Sequence, residues 1–271
     1  MANERISGRG LVLLGCGKMG GAMLQGWLNT GLDPADVWVI DPAPSDWLRG
    51  TGVTINGQLP ADPAVAVVAV KPQMMGDALP QLAALGGGAT LFVSIAAGTP
   101  IAAFQEAFGP QAPIIRAMPN TPAAISQGIT AIIGNDRVGE AGLTLAEDLL
   151  SAVGQVVRLE NEGQMDAVTG VSGSGPAYVF HMIEALTAAG QAQGLGADLA
   201  LQLARATVAG AGALAVQSGT DPAELRRNVT SPNGTTQAGL EVLMQAEGGL
   251  PPLMARTVDA ATRRSKELAN G

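Results

Sequence analysis

The chain has 271 residues, 47% of them hydrophobic and 14% charged, with 37 glycines. That is the make-up of an ordered globular protein long enough for two cores. A formal charge of −8 excludes the basic surface that nucleic acid or an anionic membrane calls for, and one cysteine with one histidine excludes an intrachain disulfide and an ordinary zinc site.

No metal is therefore expected. The first ten residues lack the apolar core of a secretory signal, and apolar runs such as residues 64–70 fall well short of the roughly 20 residues that cross a bilayer. A cytoplasmic protein without a membrane partner is expected.

From residue 10 to about 160, short apolar runs alternate with amphipathic or alanine-rich segments, the pattern of strands and crossover helices in a parallel sheet. Strands are predicted at residues 10–14, 37–40, 65–70, 90–95, 114–117, 129–133 and 155–158. Several lack polar alternation, as strands buried on both faces do. Helices are predicted at 18–29, 74–85, 100–108 and 138–153. Past Glu160 the β-branched runs disappear, and helices are predicted at 176–194, 197–218, 222–228, 233–246 and 252–268. The fold class is thus α/β, with a dinucleotide-binding domain at 1–160 and an all-helical domain at 161–271. The helix predicted at 197–218 is apolar over more than one face. It lies either at the centre of a monomer core or at an oligomer interface.

Directly after the first predicted strand stands Gly15-Cys16-Gly17-Lys18-Met19-Gly20, a G-x-G-x-x-G fingerprint at a strand-to-helix junction. In such a turn Gly15 allows the tight bend, Gly17 lets a pyrophosphate approach the backbone, and Gly20 lets helix and strand pack closely. Cys16 fills a variable slot, where a small residue in a tight loop explains it better than reactivity. Asp41 ends the second predicted strand, a little beyond the usual spacing of about 20 residues for the acid that holds the adenosine ribose. An acid there favours NADH, because it repels a 2′-phosphate. The other reading is that Asp41 begins a turn with Pro42.

A second constellation lies near the end. Ser231-Pro232-Asn233-Gly234-Thr235-Thr236 gathers three hydroxyls and a run of backbone N–H groups before an apolar helical segment. Such donors make an anion site without a lysine, which suits a chain this acidic. An ordinary helix cap is the plainer alternative.

Four further segments are distinctive: Ala69-Val70-Lys71-Pro72, Ser94-Ile95-Ala96-Ala97-Gly98, Arg116-Ala117-Met118-Pro119-Asn120-Thr121-Pro122, and Val168 to Tyr178. With residues 229–236, their order and spacing resemble the pyrroline-5-carboxylate reductase family over nearly the whole chain. The resemblance implies reduction of 1-pyrroline-5-carboxylate to L-proline, with NADPH or NADH as cofactor. It places Gly15 to Gly20, Asp41, Asn56, Ala69 to Pro72 and Ser94, Ile95, Ala96 and Ala97 along the cofactor. It places Ser231, Gly234, Thr235 and Thr236 at the substrate, with Thr236 on the ring nitrogen as the catalytic group, and Asn228 and Glu162 completing the pocket. It also implies a homodimer formed by the helical domain, often built into a decamer. Family members usually carry glycine where this chain has Asn233, and asparagine tolerates the left-handed backbone that the glycine would supply.

Two rival readings remain. A β-hydroxyacid dehydrogenase-like enzyme needs a lysine or histidine on the helical domain, where only His181 is present between Gly170 and Arg256. His181 itself reads better as a core or interface residue with a satisfied hydrogen bond. A protein that binds NAD(P)H without turnover has no need of the second anion site.

Overall fold

The computed structural model describes residues 2–270. In chain order the elements of the first part are α1 (Ala2–Ile6), β1 (Leu11–Leu14), α2 (Lys18–Asn29), β2 (Val37–Ile40), α3 (Asp46–Arg49), β3 (Thr54–Ile55), β4 (Val65–Val68), α4 (Met75–Ala78), β5 (Leu91–Ser94), α5 (Ile101–Phe108), β6 (Ile114–Met118), β7 (Gly128–Gly134), α6 (Glu140–Ser151), β8 (Gly154–Arg158) and α7 (Met165–Val168). A π-helical turn, Thr169–Gly173, follows. The remainder is helical: α8 (Gly175–Ala192), α9 (Ala197–Ser218), α10 (Pro222–Asn228), α11 (Thr235–Leu243) and α12 (Leu250–Asn270).

The eight strands form one sheet in the order β3-β2-β1-β4-β5-β6-β7-β8. Chain order reverses direction between β1 and β4, so a crevice opens at the carboxyl ends of those strands, where open α/β sheets bind their ligands. Alternate residues of the central strands feed two cores. Leu11, Leu13, Val65 and Val67 pack with Trp27 and Leu149 on one face, while Val12, Leu14, Val68 and Phe92 pack with Phe104 and Phe108 on the other. Burial on both faces explains why these strands read as unbroken apolar runs.

Two expectations need correction. β7 runs antiparallel to β6, because the nine residues between them are fewer than the dozen or so that a parallel crossover needs. The helix expected at 74–85 is one turn of α-helix, α4, followed by a 3-10 segment over Leu79–Leu85. Pro80 lacks the N–H that would continue an α-helix. In addition, an 18-residue stretch of the 22-residue α9 has a mean hydropathy of 1.5, so by length and composition one helix among the described residues could cross a membrane. Its polar residues break up every contiguous apolar run, which is why run length alone did not reveal it.

The chain divides into two compact units. The first comprises residues up to Gly173 together with those from Ala261 onward, and the second is Ser174–Ala260. Residues 161–173 and 261–270, grouped with the helical domain on sequence grounds, thus cluster with the first unit, and α12 contributes to both. Within the first unit Ser265, almost wholly buried, donates its hydroxyl to Asp166 at 2.7 Å.

The second unit has almost no interior. No residue of α8, α10 or α11 is buried, and α9 buries only Ala200 and Ala204. Phe180, Leu203, Leu214 and Val216 are 59, 49, 54 and 70% exposed. A central position in a monomer core is therefore ruled out for α9.

Candidate active site

Gly15 and Gly20 meet the steric demands that their spacing suggested. Gly15 leaves β1 with φ at +92°, and a Cβ there would stand 2.9 Å from Val70 Cγ1. At Gly20 a Cβ would collide with the Gly15 carbonyl, so the third glycine permits α2 to lie against the strand. Around the Cβ position of Gly17 there is open space within 4 Å. Gly17 is also the N-cap of α2 and carries no side-chain cap. The first N–H groups of the helix therefore have no intrahelical acceptor and point into that space, which suits a pyrophosphate.

Asp41 clasps this turn. Its Oδ2 accepts the Cys16 N–H at 2.7 Å and its Oδ1 accepts the Ala43 N–H at 2.8 Å. The turn reading and the cofactor reading are thus compatible, since the same carboxylate begins the Asp41-Pro42-Ala43 turn and faces the glycine loop. Asn56, held in the left-handed region at φ +51°, accepts the Asp41 N–H with Oδ1 at 2.9 Å and donates Nδ2 to the Asp41 carbonyl at 2.8 Å. The Cys16 thiol is half-buried, and desolvation followed by the Asp41 charge pushes its pKa up to about 11. It stays a thiol at neutral pH, in keeping with a filler of the tight loop.

Ala69, Val70 and Lys71 leave the carboxyl end of β4, with the Ala69 N–H donated to the Leu14 carbonyl at 2.8 Å. Ser94 ends β5, is 1% exposed, and accepts the Ala96 N–H at 3.2 Å with its hydroxyl. Ile95 donates its N–H to the Val68 carbonyl at 3.0 Å. Lys18, Met19, Lys71 and Pro72 stand at the same edge of the sheet, at or just past strand ends, and Lys71 is exposed. The residues expected along a cofactor thus stand at or just past the carboxyl ends of β1, β2, β3, β4 and β5.

Glu162 is placed differently. Its Oε1 accepts the Arg116 guanidinium at 2.9 Å and the Ile101 N–H at 2.9 Å. Arg116 is 6% exposed, so Glu162 neutralises a buried cation and caps α5, whose own N-cap, Pro100, has no side-chain donor or acceptor to offer. Sequence reasoning singled out Arg116 only as part of a motif. Its pairing spans 46 residues, and no local signal announces it. Asn120, from that same motif, accepts the Ile129 N–H at 3.0 Å and donates to Ser172 at 3.4 Å, which ties the π-helical turn to the end of β6.

In the second unit, residues 229–234 join α10 to α11, and Thr235 and Thr236 begin α11. The Gly234 N–H closes a turn on the Ser231 carbonyl at 3.0 Å, and Asn233 adopts the left-handed conformation at φ +59°, as expected of its substitution for glycine. The N-cap of α11 is Gly234, without a side-chain cap. Ser231, Thr235 and Thr236 are exposed, and among the described residues none of their hydroxyls has a hydrogen-bond partner. An ordinary cap would engage one of them. Asn228, also exposed, ends α10 one turn earlier.

His181 is not a core residue. It is 80% exposed on α8 and shares a hydrogen bond of 2.9 Å with Glu184. Among the described residues no group of three or more histidine, cysteine or acidic side chains could hold a metal.

Residues 162–268 match the family model for pyrroline-5-carboxylate reductase dimerisation, and residues 11–98 match that for coenzyme F420-dependent NADP oxidoreductase. A pyrroline-5-carboxylate reductase of Pseudomonas aeruginosa is 40% identical over 265 residues, 96% of each chain. The chain belongs to the pyrroline-5-carboxylate reductase family. A solved reductase from Coxiella burnetii, 32% identical, superposes with a TM-score of 0.90 over 96% of this chain and 98% of that one. The Plasmodium falciparum enzyme, solved with NADP bound, is 27% identical with a TM-score of 0.83, covering 97% and 98%. Membership in the pyrroline-5-carboxylate reductase family accounts for both the sheet with its glycine turn and the long helices that follow.

Proposed function

We propose that this chain reduces 1-pyrroline-5-carboxylate to L-proline with a reduced nicotinamide dinucleotide. The single observation that carries the reading is the cluster of exposed, unpartnered hydroxyls of Ser231, Thr235 and Thr236 at the uncapped start of α11, in a chain whose other unit carries a glycine turn open at Gly17.

When bound, a reduced nicotinamide would supply a hydride from its carbon 4 to the imine carbon, the C=N bonding pair passing to the nitrogen, which takes a proton from solvent. Protonation of the nitrogen first makes the carbon more electrophilic, and imines are basic enough to be partly protonated near neutral pH. The protein need supply only positioning. Ser231, Thr235 and the first amides of α11 hold the carboxylate, Asn228 borders them, and Thr236, directly or through a water, steadies the ring nitrogen. Glu162 acts at a distance as a positioning residue, through Arg116 and α5.

In the other unit, Gly15 to Gly20 would receive the pyrophosphate, and residues 69–72 and 94–97 would line the dinucleotide. Asp41 holds the adenosine ribose and repels a 2′-phosphate, which favours NADH over NADPH. A second copy of the chain covers the apolar faces of α8 and α9 to give at least a dimer, with a decamer as a further assembly of dimers. Asp198 and Arg205 on α9 suit a protein interface in the cytoplasm better than lipid.

The test is a steady-state assay of nicotinamide oxidation with 1-pyrroline-5-carboxylate, comparing NADH with NADPH. Turnover with NADH the better donor supports the reading. Binding of cofactor without turnover favours a sensor, and loss of hydride transfer in His181→Ala favours the hydroxyacid dehydrogenase alternative.

A further inference from the structure

The amino-terminal edge of the sheet, opposite the glycine turn, carries a groove of about 430 Å³ walled by Arg5, Arg9 and Arg137. Its floor is apolar, formed by Ala64, Leu91 and Pro113 at the starts of β4, β5 and β6, together with Val138 and Leu145. In a chain of 23 acidic and 15 basic residues, no aspartate or glutamate lines it.

Three guanidinium groups around one concavity repel one another unless an anion answers them. Arg9 is answered from outside the wall by Asp62 at 3.0 Å. Arg5 lends one N–H to the Ala141 carbonyl at 2.6 Å, which leaves most of its donors unspent. Among the described residues Arg137 makes no side-chain hydrogen bond or ion pair. Among the described residues Asp136, its neighbour in sequence, forms no ion pair with it, and Glu140 pairs with Arg158 at 2.7 Å instead. At Gly139 a Cβ would stand in open space, so the backbone there is accessible to a ligand.

We propose that this groove binds a phosphorylated small molecule. A single carboxylate brings one charge, whereas a phosphoryl group brings nearly two and matches the planar guanidinium fork bidentately. The volume is that of an ordinary small-ligand site, and the apolar floor accepts the body of a nucleotide-sized molecule. This site is separate from the cofactor turn, and the proposal stands whichever reaction the chain catalyses.

The test is calorimetric titration of the full chain with inorganic pyrophosphate and with ATP, each with and without saturating NADH to occupy the glycine turn. Saturable binding that persists under NADH is expected, with an at least tenfold loss of affinity in Arg137→Ala and Arg5→Ala and partial rescue in Arg137→Lys. Unchanged NADH affinity in these variants certifies that they fold. Equal affinity for the two probes assigns recognition to the phosphoryl groups alone, and tighter ATP binding adds the apolar floor. Binding abolished by NADH, binding indifferent to both substitutions, or binding of citrate without pyrophosphate overturns the proposal.

Discussion

Asp41 and Cys16 lie 25 residues apart in sequence and are joined by a 2.7 Å hydrogen bond from the Cys16 N–H to the Asp41 carboxylate. The acid at the end of β2 is thereby fixed against the glycine turn, with Asn56 holding its backbone on both sides. On the proposed cofactor reading, replacing it by a neutral residue would remove a charge that opposes a 2′-phosphate. Asp41→Ser is expected to shift the ratio of kcat/KM for NADH over NADPH toward NADPH by about tenfold or more, which corresponds to about 1.4 kcal/mol. Parallel kinetics with the two cofactors check this, and an unchanged ratio sinks it.

The Cys16 thiol holds its proton to about pH 11 in the folded chain, against 9.0 for the ordinary group. An unfolded thiol ionises earlier, so this contribution to stability is complete below pH 9 and is lost as the pH rises toward 11. Alkylation by iodoacetamide at pH 8 is expected to be far slower for the native protein than for the denatured one. Cys16→Ala is expected to flatten the alkaline part of the stability curve, which denaturant titrations at pH 8 and pH 10 would measure.

Removing the Glu162 carboxylate leaves Arg116 charged and buried, and α5 without its remote cap. Glu162→Ala is expected to cost about 2 kcal/mol, below the usual value for a broken buried pair because Glu162 is itself 34% exposed. Glu162→Gln, which keeps an acceptor, is expected to cost less. Thermal melts rank the three proteins, and a melting point unchanged in Glu162→Ala would refute the structural role.

On the proposed reading, Ser231 and Thr235 serve substrate binding and Thr236 serves the reaction. Ser231→Ala is expected to raise KM for 1-pyrroline-5-carboxylate with little change in kcat. Thr236→Val is expected to lower kcat about 100-fold, the low end for a positioned proton-handling group. Substrate titrations of each variant separate the two effects, and a Thr236→Val enzyme with full kcat would remove Thr236 from the chemistry.

Phe180→Asp or Leu203→Glu places a charge on an apolar face that a second copy would bury. Either is expected to convert the oligomer to smaller species, visible by light scattering after gel filtration. A particle mass unchanged in both variants, in detergent-free buffer, argues against α8 and α9 as the interface.

Legibility differed from part to part for physical reasons. The central strands were readable because two-sided burial demands unbroken apolar residues, and the glycine turn because each glycine answers a separate steric demand. β3 is two residues long and too short to carry a period. The antiparallel pairing of β7 was present only in the length of the Pro119–Gln127 connection. The Arg116–Glu162 pair depends on chain segments that meet solely in the fold. Asn233 was readable in advance because its constraint is a local backbone angle. The sparse interior of the second unit was not, since composition gives the number of apolar residues and not what covers them.

The return of the chain's last residues to the first unit has a practical consequence for dissection. A fragment ending at Gly173 would lack Ser265, the partner of Asp166, and Leu268, whose Cβ lies 3.1 Å from the Cβ position of Gly98. Protein engineers who wish to borrow the dinucleotide-binding half as a free-standing module would have to graft the helical turns from Ala261 onward back onto it, because two separate stretches of sequence make up a single folded body.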